Sequence, residues 1–562
     1  MTPLIPHFDL LATAPGGVAR LRELILTLAV QGKLVPQEAG DEPASVLLQR
    51  IRAEKDRLIA AGEIKRDKPM AEISDEELPF EIPTGWTWAR IPALTYSLGQ
   101  GEPSTPFTYI DVAAIENIKG VITNNIQVIH PTDAPSRARK NVAVGTVLYS
   151  TIRPYLKNIA IVEQDYQPRP IASTAFATMH PHQGLISRYL LTYLRSKPFT
   201  DFANSKSVGI AYPAINDANF FQGLIALPPT AEQSRIVTRV EELMRLCDAL
   251  EQQRQLETAQ HVKLLNTLLG TLTDCTSPDE LAAHWQRVSD HFDLLLDRPE
   301  AVDALEQTIL QLAVRGLLVP QDPADEQASV LLQRIRAEKD RLIAAGEIKR
   351  DKPLTAITDE EKPFALQEPW AWVRVGDLVE MLNGYAFKSE WFKNIGTRLL
   401  RNVNISHGHI DWSQPAFVDS STADAFSSFA LKAGDIVLSL DRPIISTGLK
   451  YAIVKASDLP CLLLQRVARL SPYAAGMSAD FFVLWLQSDL FMRTIDPGRS
   501  NGVPHISTKQ VANLVIGLPP LAEQARIVAR VTQLRSLCAD LRQRLSARQS
   551  TQSRLGEALV EV

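Results

Sequence analysis

Cysteine is scarce in this chain: four residues in 562, none in a CxxC pair, which argues against both a disulfide framework and a zinc site. Long apolar runs are missing too. None approaches the roughly 20 residues needed to cross a bilayer, so no membrane association is expected. Met1 to Leu11 holds no basic segment followed by an apolar stretch, so a secretory signal is not expected and a reducing cytoplasm is. Catalytic signatures are equally thin. There is no GxxxxGK[ST] loop for nucleotide phosphates, and Gly99-Gln-Gly101 lacks the third glycine of a dinucleotide loop. No NPPY or DPPY run occurs; each Pro-Pro pair sits in an LPP segment instead. Serine, histidine and aspartate are scattered without a nucleophile elbow. His407 and His409 have no cysteine or carboxylate at ligand spacing and read as a surface loop. No catalytic residue, metal or cofactor is therefore expected on this chain.

What is present is ordinary folding material. Hydrophobic residues make up 45% and charged residues 22%, enough to build real cores. The length suggests roughly three or four units. The net charge of −5 is unevenly spread: residues 85–227 carry +4, residues 370–518 carry +2, and the remainder −11. Two mildly basic blocks between acidic segments permit nucleic-acid binding, which follows local patches rather than the total.

The chain is written twice. Residues 44–69, ASVLLQRIRAEKDRLIAAGEIKRDKP, recur unchanged at 328–353, and LAVQGKLVPQ at 28–37 returns as LAVRGLLVPQ at 312–321. GWTWARI (85–91) and PWAWVRV (369–375) keep Trp86/Trp370 and Trp88/Trp372 in register. IALPPTAEQSRIVTRVEELMRLCDAL at 225–250 matches IGLPPLAEQARIVARVTQLRSLCADL at 516–541. Between these frames lie two diverged blocks, about 89–226 and 373–517. One correspondence survives inside them: Gly145 to Pro154 and Gly434 to Pro443 both read as turn glycine, short apolar strand and arginine-proline exit. Duplication is certain, and the two cores are expected to share a fold with different surfaces.

Residues 44–61 predict a helix ending at Gly62, with its copy ending at Gly346. The LPPxAEQ segments predict helix starts, with Glu232 and Glu523 in the first turn, where the helix dipole favours acid. Beyond them Ile236, Val240, Leu243, Cys247 and Leu250 keep heptad spacing, as do Ile527, Val531, Leu534, Cys538, Leu541 and Leu545. Leu264 and Leu268, and Leu555 and Leu559, are expected to resume the seam. Each helix can reach roughly 40 residues, about 60 Å. The two are expected to pair antiparallel. Within the cores, strands are predicted at Val147–Ile152, Ile159–Val162, Asp435–Leu440 and Tyr451–Val454, and helices at Arg188–Arg195 and Asp480–Leu490. The fold class is thus α+β: two domains with mixed α/β cores, separated by two long antiparallel coiled-coil-like helices in an internal pseudo-twofold repeat. The expected organisation is a helical segment at 1–84, a first core at 85–227 and a long helix with linker at 228–299. A second helical segment at 300–368, a second core at 369–518 and a C-terminal long helix at 519–562 follow.

These features together resemble the specificity subunits of type I restriction–modification systems. The residues that carry the resemblance are the two LPPxAEQxRIV helix starts with their heptads, Asn383–Ser389 (NGYAFKS), Gly434–Ser439 (GDIVLS) and the late Gln465-Arg466. The tract Thr273–Ala301 and the arms beginning at Ala44 and Ala328 depart from the pattern. The resemblance implies a DNA-sequence specificity subunit whose cores each read one half of a bipartite double-stranded site. It implies two methyltransferase (modification) subunits and restriction/translocase subunits as partners. S-adenosylmethionine and ATP with Mg²⁺ would be held by those partners and not by this chain. Two other classes remain open: a self-contained DNA modification or cleavage enzyme, and a coiled-coil scaffold without sequence preference.

Candidate DNA contacts follow from side-chain chemistry. Arg153 and Arg442 offer a planar fork that suits guanine edges and phosphates, against the alternative of an ion pair closing a strand end. Around the first, Tyr155, Lys157 and Asn158 mix base-edge and phosphate chemistry. Arg137, Arg139 and Lys140 read as a basic loop cluster. In the second core, Tyr385, Lys388 and Ser389 follow Gly384 in an expected recognition loop. The four tryptophans shared by both halves read as packing.

Overall fold

A computed structural model describes residues 12–124, 126–350, 352–473, 476–495 and 504–560. It divides into two compact units, residues 1–257 with 549–562 and residues 258–548, so the boundary falls inside both long helices.

Unit 1 begins with helices α1 (Gly17–Val30) and α2 (Ala44–Ala60). The second ends as its sequence requires: Gly62 takes a φ of 72°, a left-handed cap that costs glycine nothing. An antiparallel pair, Thr87–Arg90 against Leu224–Leu227, then closes the base of the core. Above it stand two four-stranded sheets. One runs in the order Gln127–Ile129, Phe107–Ile110, Pro170–Ser173, Ala138–Asn141, with its middle pair parallel. The other is antiparallel, in the order Thr95–Tyr96, Phe176–Pro181, Val147–Ser150, Ile159–Ile161. Both strands expected around Arg153 are present but shorter: the first ends at Ser150, where the chain leaves the sheet, and the second at Ile161. Helix Ser187–Arg195 covers the second sheet with Tyr189, Tyr193 and Leu190, all buried.

Unit 2 repeats this order. Its base pair is Ala371–Arg374 against Val515–Leu518. Its antiparallel sheet runs Val379–Asn383, Val467–Pro472, Ile436–Ser439, Tyr451–Ile453, the same topology as in unit 1. The other sheet again holds a parallel pair, Thr397–Leu400 with Cys461–Leu463. The helix predicted over Asp480–Leu490 is Ala479–Gln487, broken at buried Ser488, whose hydroxyl donates back to Trp485 O.

The long helices are α3 (Thr230–Thr273) and, at the C-terminus, Leu521–Val560, 44 and 40 residues long. In the first turns of each, the apolar seam is covered by the short helix of the same unit. Ile236, Val240 and Cys247 share one core with Val18, Leu21 and Ile25 of α1. Arg22 of α1 ties down the flank, pairing with Asp248 (2.5 Å) and Glu251 (2.8 Å). In unit 2 the short helix is α4 (Pro299–Val314), the equivalent of α1. With α5 (Ala328–Ala344) following it, the C-terminal long helix becomes α6. Leu305, Ile309 and Leu312 of α4 face Leu534, Cys538 and Leu541 of α6 across an apolar groove of 310 Å³. Arg542 pairs there with Asp303 (2.6 Å) and Glu306 (2.9 Å).

The continuation of the seam needs correction. Leu264 is 52% exposed and Leu268 only partly buried; Leu265, Leu269 and Leu272 are the buried positions, one residue out of the expected register. Leu555 is likewise exposed, and the side chain of Leu559 lies outside the described residues. The polar stretch between the two seams lets the helix drift, since 3.6 residues per turn does not hold a strict heptad. The Thr273–Ala301 tract contains helix Pro278–Asp290 and a short turn of helix, Phe292–Leu295.

Glu232 and Glu523 hold a different role from a solvated first-turn acid. Both are buried. Glu232 accepts from Trp86 Nε1 (2.9 Å) and Gln37 Nε2 (2.6 Å); Glu523 accepts from Trp370 Nε1 (3.0 Å) and Gln321 Nε2 (2.8 Å). Burial raises both carboxyls above the ordinary range, against those hydrogen bonds, which lower them. A raised folded-state pKa favours folding in acid, and that advantage is lost as pH rises through the raised value. Relative to Glu232→Gln, the wild-type protein is expected to lose stability as pH climbs from about 4.5. Parallel urea titrations of the two proteins across pH 4–8 check this, and a pH-independent difference would contradict it. The remaining tryptophans pack as expected, Trp88 on Phe80 and Trp372 on Phe364, each with centroids 5.0 Å apart.

Candidate nucleic-acid interface

In each core the chain exits the central antiparallel strand through an arginine in the left-handed region: Arg153 (φ 50°) after Val147–Ser150 and Arg442 (φ 48°) after Ile436–Ser439. A non-glycine residue there is uncommon and must be held by its surroundings. The same bond holds both. Arg153 N donates to Pro213 O (2.7 Å) and Arg442 N to Pro504 O (2.9 Å), so a distant loop braces each turn. Lys157 (φ 53°) ends the first turn in the same conformation, and Arg466 (φ 68°) sits beside the second, pairing with Asp441 at 2.9 Å.

Arg153, Tyr155, Lys157 and Asn158 are thus brought together on one turn. The Arg153 guanidinium lies 4.4 Å from the centroid of the Tyr212 ring and makes no hydrogen bond or ion pair among the described residues. The ion pair that was the bland alternative for this residue is absent there. Tyr155 is 48% exposed. Lys157 and Asn158 are half-buried, and desolvation lowers the Lys157 ammonium below its usual value. Arg442 is exposed.

The Arg137 cluster is corrected. Ala138–Asn141 is a strand, not a loop. Lys140 is buried and donates to Asp217 Oδ2 at 2.9 Å, which removes it from any phosphate. Arg139 is paired with Glu102 at 2.5 Å, and Arg137 alone of the three is exposed. Burial on alternate residues of a strand explains the split: Ala138 and Lys140 point inward.

The Asn383–Ser389 segment is also divided. Asn383 ends a strand, and Gly384 is required because a Cβ there would meet Leu464 O at 2.1 Å. Tyr385 is half-buried in an aromatic cluster with Phe426 (4.4 Å) and Phe387 (5.1 Å), so its ring is committed to packing. Lys388 and Ser389 are exposed, with the Lys388 ammonium 5.6 Å from the centroid of the Trp391 ring. His407 Nδ1 lies 2.9 Å from Leu449 O, and no metal-holding cluster occurs among the described residues.

Sequence reasoning missed the loop Ser207–Pro213. It carries Val208, Ile210 and Tyr212, exposed by 76, 105 and 70%. An apolar run beside glycine reads as buried strand when only spacing is considered; its brace on Arg153 is a long-range contact.

The chain matches the family described as the type I restriction modification DNA specificity domain twice, at residues 116–259 and 367–548. It is 46% identical over 552 residues to the specificity subunit of the type I restriction enzyme EcoAI from Escherichia coli, covering 97% of this chain and 93% of that one. The EcoEI specificity subunit from the same organism is 31% identical with the same coverage. A solved chain from work on complex assembly and conformational transition of the type I R-M system aligns with a TM-score of 0.52 at 23% identity. That alignment covers 86% of this chain and 98% of that one.

Proposed function

Since this chain belongs to the specificity subunits of type I restriction–modification systems, we propose that each of its two cores reads one half of a bipartite double-stranded DNA site, without catalysis of its own. The observation that carries this reading is the repeated frame around diverged surfaces. Both cores share strand order and the braced arginine turn, while the residues displayed around those turns differ. A shared scaffold with different displayed chemistry gives two readers of different sequence.

Arg153, Tyr155, Lys157 and Asn158 in the first core, and Lys388, Ser389 and Arg442 in the second, supply fork, hydroxyl, amide and ammonium donors for base edges and phosphates. Arg137 adds an exposed phosphate donor. Two methyltransferase subunits carry out modification with S-adenosylmethionine, and restriction/translocase subunits use ATP and Mg²⁺; this chain binds none of these cofactors. Among the described residues no helix is long and apolar enough to cross a membrane. We place the working assembly on DNA in the cytoplasm.

Methylome sequencing of a host carrying the chain and its partners tests the reading. Two short specified blocks with a fixed unspecified gap are expected, and one uninterrupted motif refutes it. Exchanging residues 89–226 for those of a relative should alter one block and leave the other unchanged.

A further inference from the structure

From the loop braced on Arg153 we infer a base-reading element not among the donors above: Val208 and Ile210 contact the 5-methyl group of a thymine in the major groove of the first half-site. Tyr212 holds Arg153 for the adjacent base. The inference rests on the DNA-reading function and names the chemistry of one of its contacts.

The loop is rigid at its base and apolar at its tip. Val208 and Ala214 exchange backbone hydrogen bonds (2.9 and 3.0 Å), and Ile215 N donates to Thr151 O (2.9 Å), fastening the loop to the turn that carries Arg153. Gly209, with φ 108°, makes the reversal; a Cβ there would meet Tyr212 O at 2.9 Å. The three apolar side chains are therefore presented, not collapsed into the core. Exposing them wastes burial unless something covers them.

Three observations identify the cover as DNA. The Arg153 guanidinium, with no hydrogen-bond or ion-pair partner among the described residues, stands at the base of the tip, 4.4 Å from the Tyr212 ring centroid, and brings positive charge to an otherwise apolar projection. The brace recurs in unit 2 through Arg442 and Pro504, so the base of the loop is common to both recognition cores. The tip is not common. The aligned stretch of the second copy reads Gly-Arg-Ser-Asn-Gly-Val at 498–503, outside the described residues, where the first reads Ser-Val-Gly-Ile-Ala-Tyr. A constant base with a variable tip is what two readers of different sequence require. Val208 and Ile210 have no donor for phosphate or for a base edge, and the apolar feature of the major groove is the thymine methyl.

The test uses the modification complex assembled on the full chain, with duplexes carrying the methylome-defined site in which each dT of the first half-site is replaced in turn by dU. Wild type is expected to lose about fourfold in affinity at one thymine, the value of one buried methyl. Ile210→Ala should bind the unmodified site about fourfold more weakly and lose nothing further with dU at that position; Val208→Ala should reproduce this in part. Both side chains are exposed, so matched melting temperatures should accompany the change. The inference is overturned if the first half-site contains no thymine, if Ile210→Ala binds like wild type, or if it keeps the full dU sensitivity. A wild-type complex with no sequence preference would instead overturn the specificity function itself.

Discussion

Replacing Gln233 by alanine is expected to cost unit 1 roughly 3–5 kcal/mol, an effect out of proportion to one neutral side chain. Gln233 is fully buried at the start of α3 and satisfies three backbone groups at once. Its amide donates to Gly184 O (3.2 Å) and Pro228 O (3.1 Å), and its carbonyl accepts from Ile186 N (2.8 Å). Alanine leaves Pro228 O and Ile186 N unpaired in a dry site, each at about 1–3 kcal/mol before water relieves part of it, while Gly184 O keeps only the Thr230 hydroxyl (3.2 Å). Gln524 makes the matching bonds in unit 2, to Ser478 N (2.8 Å), Pro519 O (3.1 Å) and Gly476 O (3.4 Å), and Gln524→Ala should cost as much. Urea unfolding followed by tryptophan fluorescence should show an early transition belonging to the altered unit. A loss below about 1 kcal/mol in either variant would mean that water replaces the amide without penalty.

The second large effect concerns helix phase. Two residues inserted after Glu257 and two after Arg548 rotate everything downstream by about 200°. Leu265, Leu269 and Leu272 would leave the core of unit 2, and the last turns of α6 would leave Arg20, which holds Ser553 O (2.7 Å) and Glu557 (2.5 Å). No assembled complex and no methylation are expected. Seven residues at both places return the seams to nearly the same phase and add about 10 Å to each helix. If the helices set the distance between readers, the methylome gap should grow by about three base pairs with both half-sites unchanged. An active variant with the original gap would show that the helices do not set it.

Much of this architecture was legible in the sequence, for definite reasons. Local rules fixed the ends of α2 at Gly62 and the start of α3 at its prolines. Duplication required that two cores share one fold. Heptad spacing showed which face of each long helix is apolar and led to the expectation that the two helices pair, but it gave no sign that α1 and α4 cover the first seam of each. The partner of Lys140 is Asp217, 77 residues away, and the partners of Glu232 are Trp86 and Gln37; no spacing rule reaches that far. The Thr273–Ala301 tract departs from the pattern of the resemblance, yet His291 to Leu295 repeats His7 to Leu11 letter for letter, so part of it belongs to the duplication. The arginine turns were recognised by residue type, whereas the apolar loop that braces the first was not. Its exposure is a property of the folded chain.

Between its two seams α3 passes through Gln255–Gln260, where each residue, Leu256 included, is exposed. No burial stabilises these turns, and the anchored segments on either side remove the cost of nucleation that an isolated helix would face. Mechanically the stretch is a beam whose resistance to bending comes from backbone hydrogen bonding, with one side-chain bond, Gln253 Nε2 to Glu257 (2.8 Å), along its surface. A single glycine at Gln255 would cost only about 1 kcal/mol, the intrinsic propensity difference. It would soften the beam while leaving the core of each unit untouched. Compliance and stability are therefore separately adjustable in this protein: the first resides in six solvated residues, the second in the buried Glu-Gln pairs at the two helix starts.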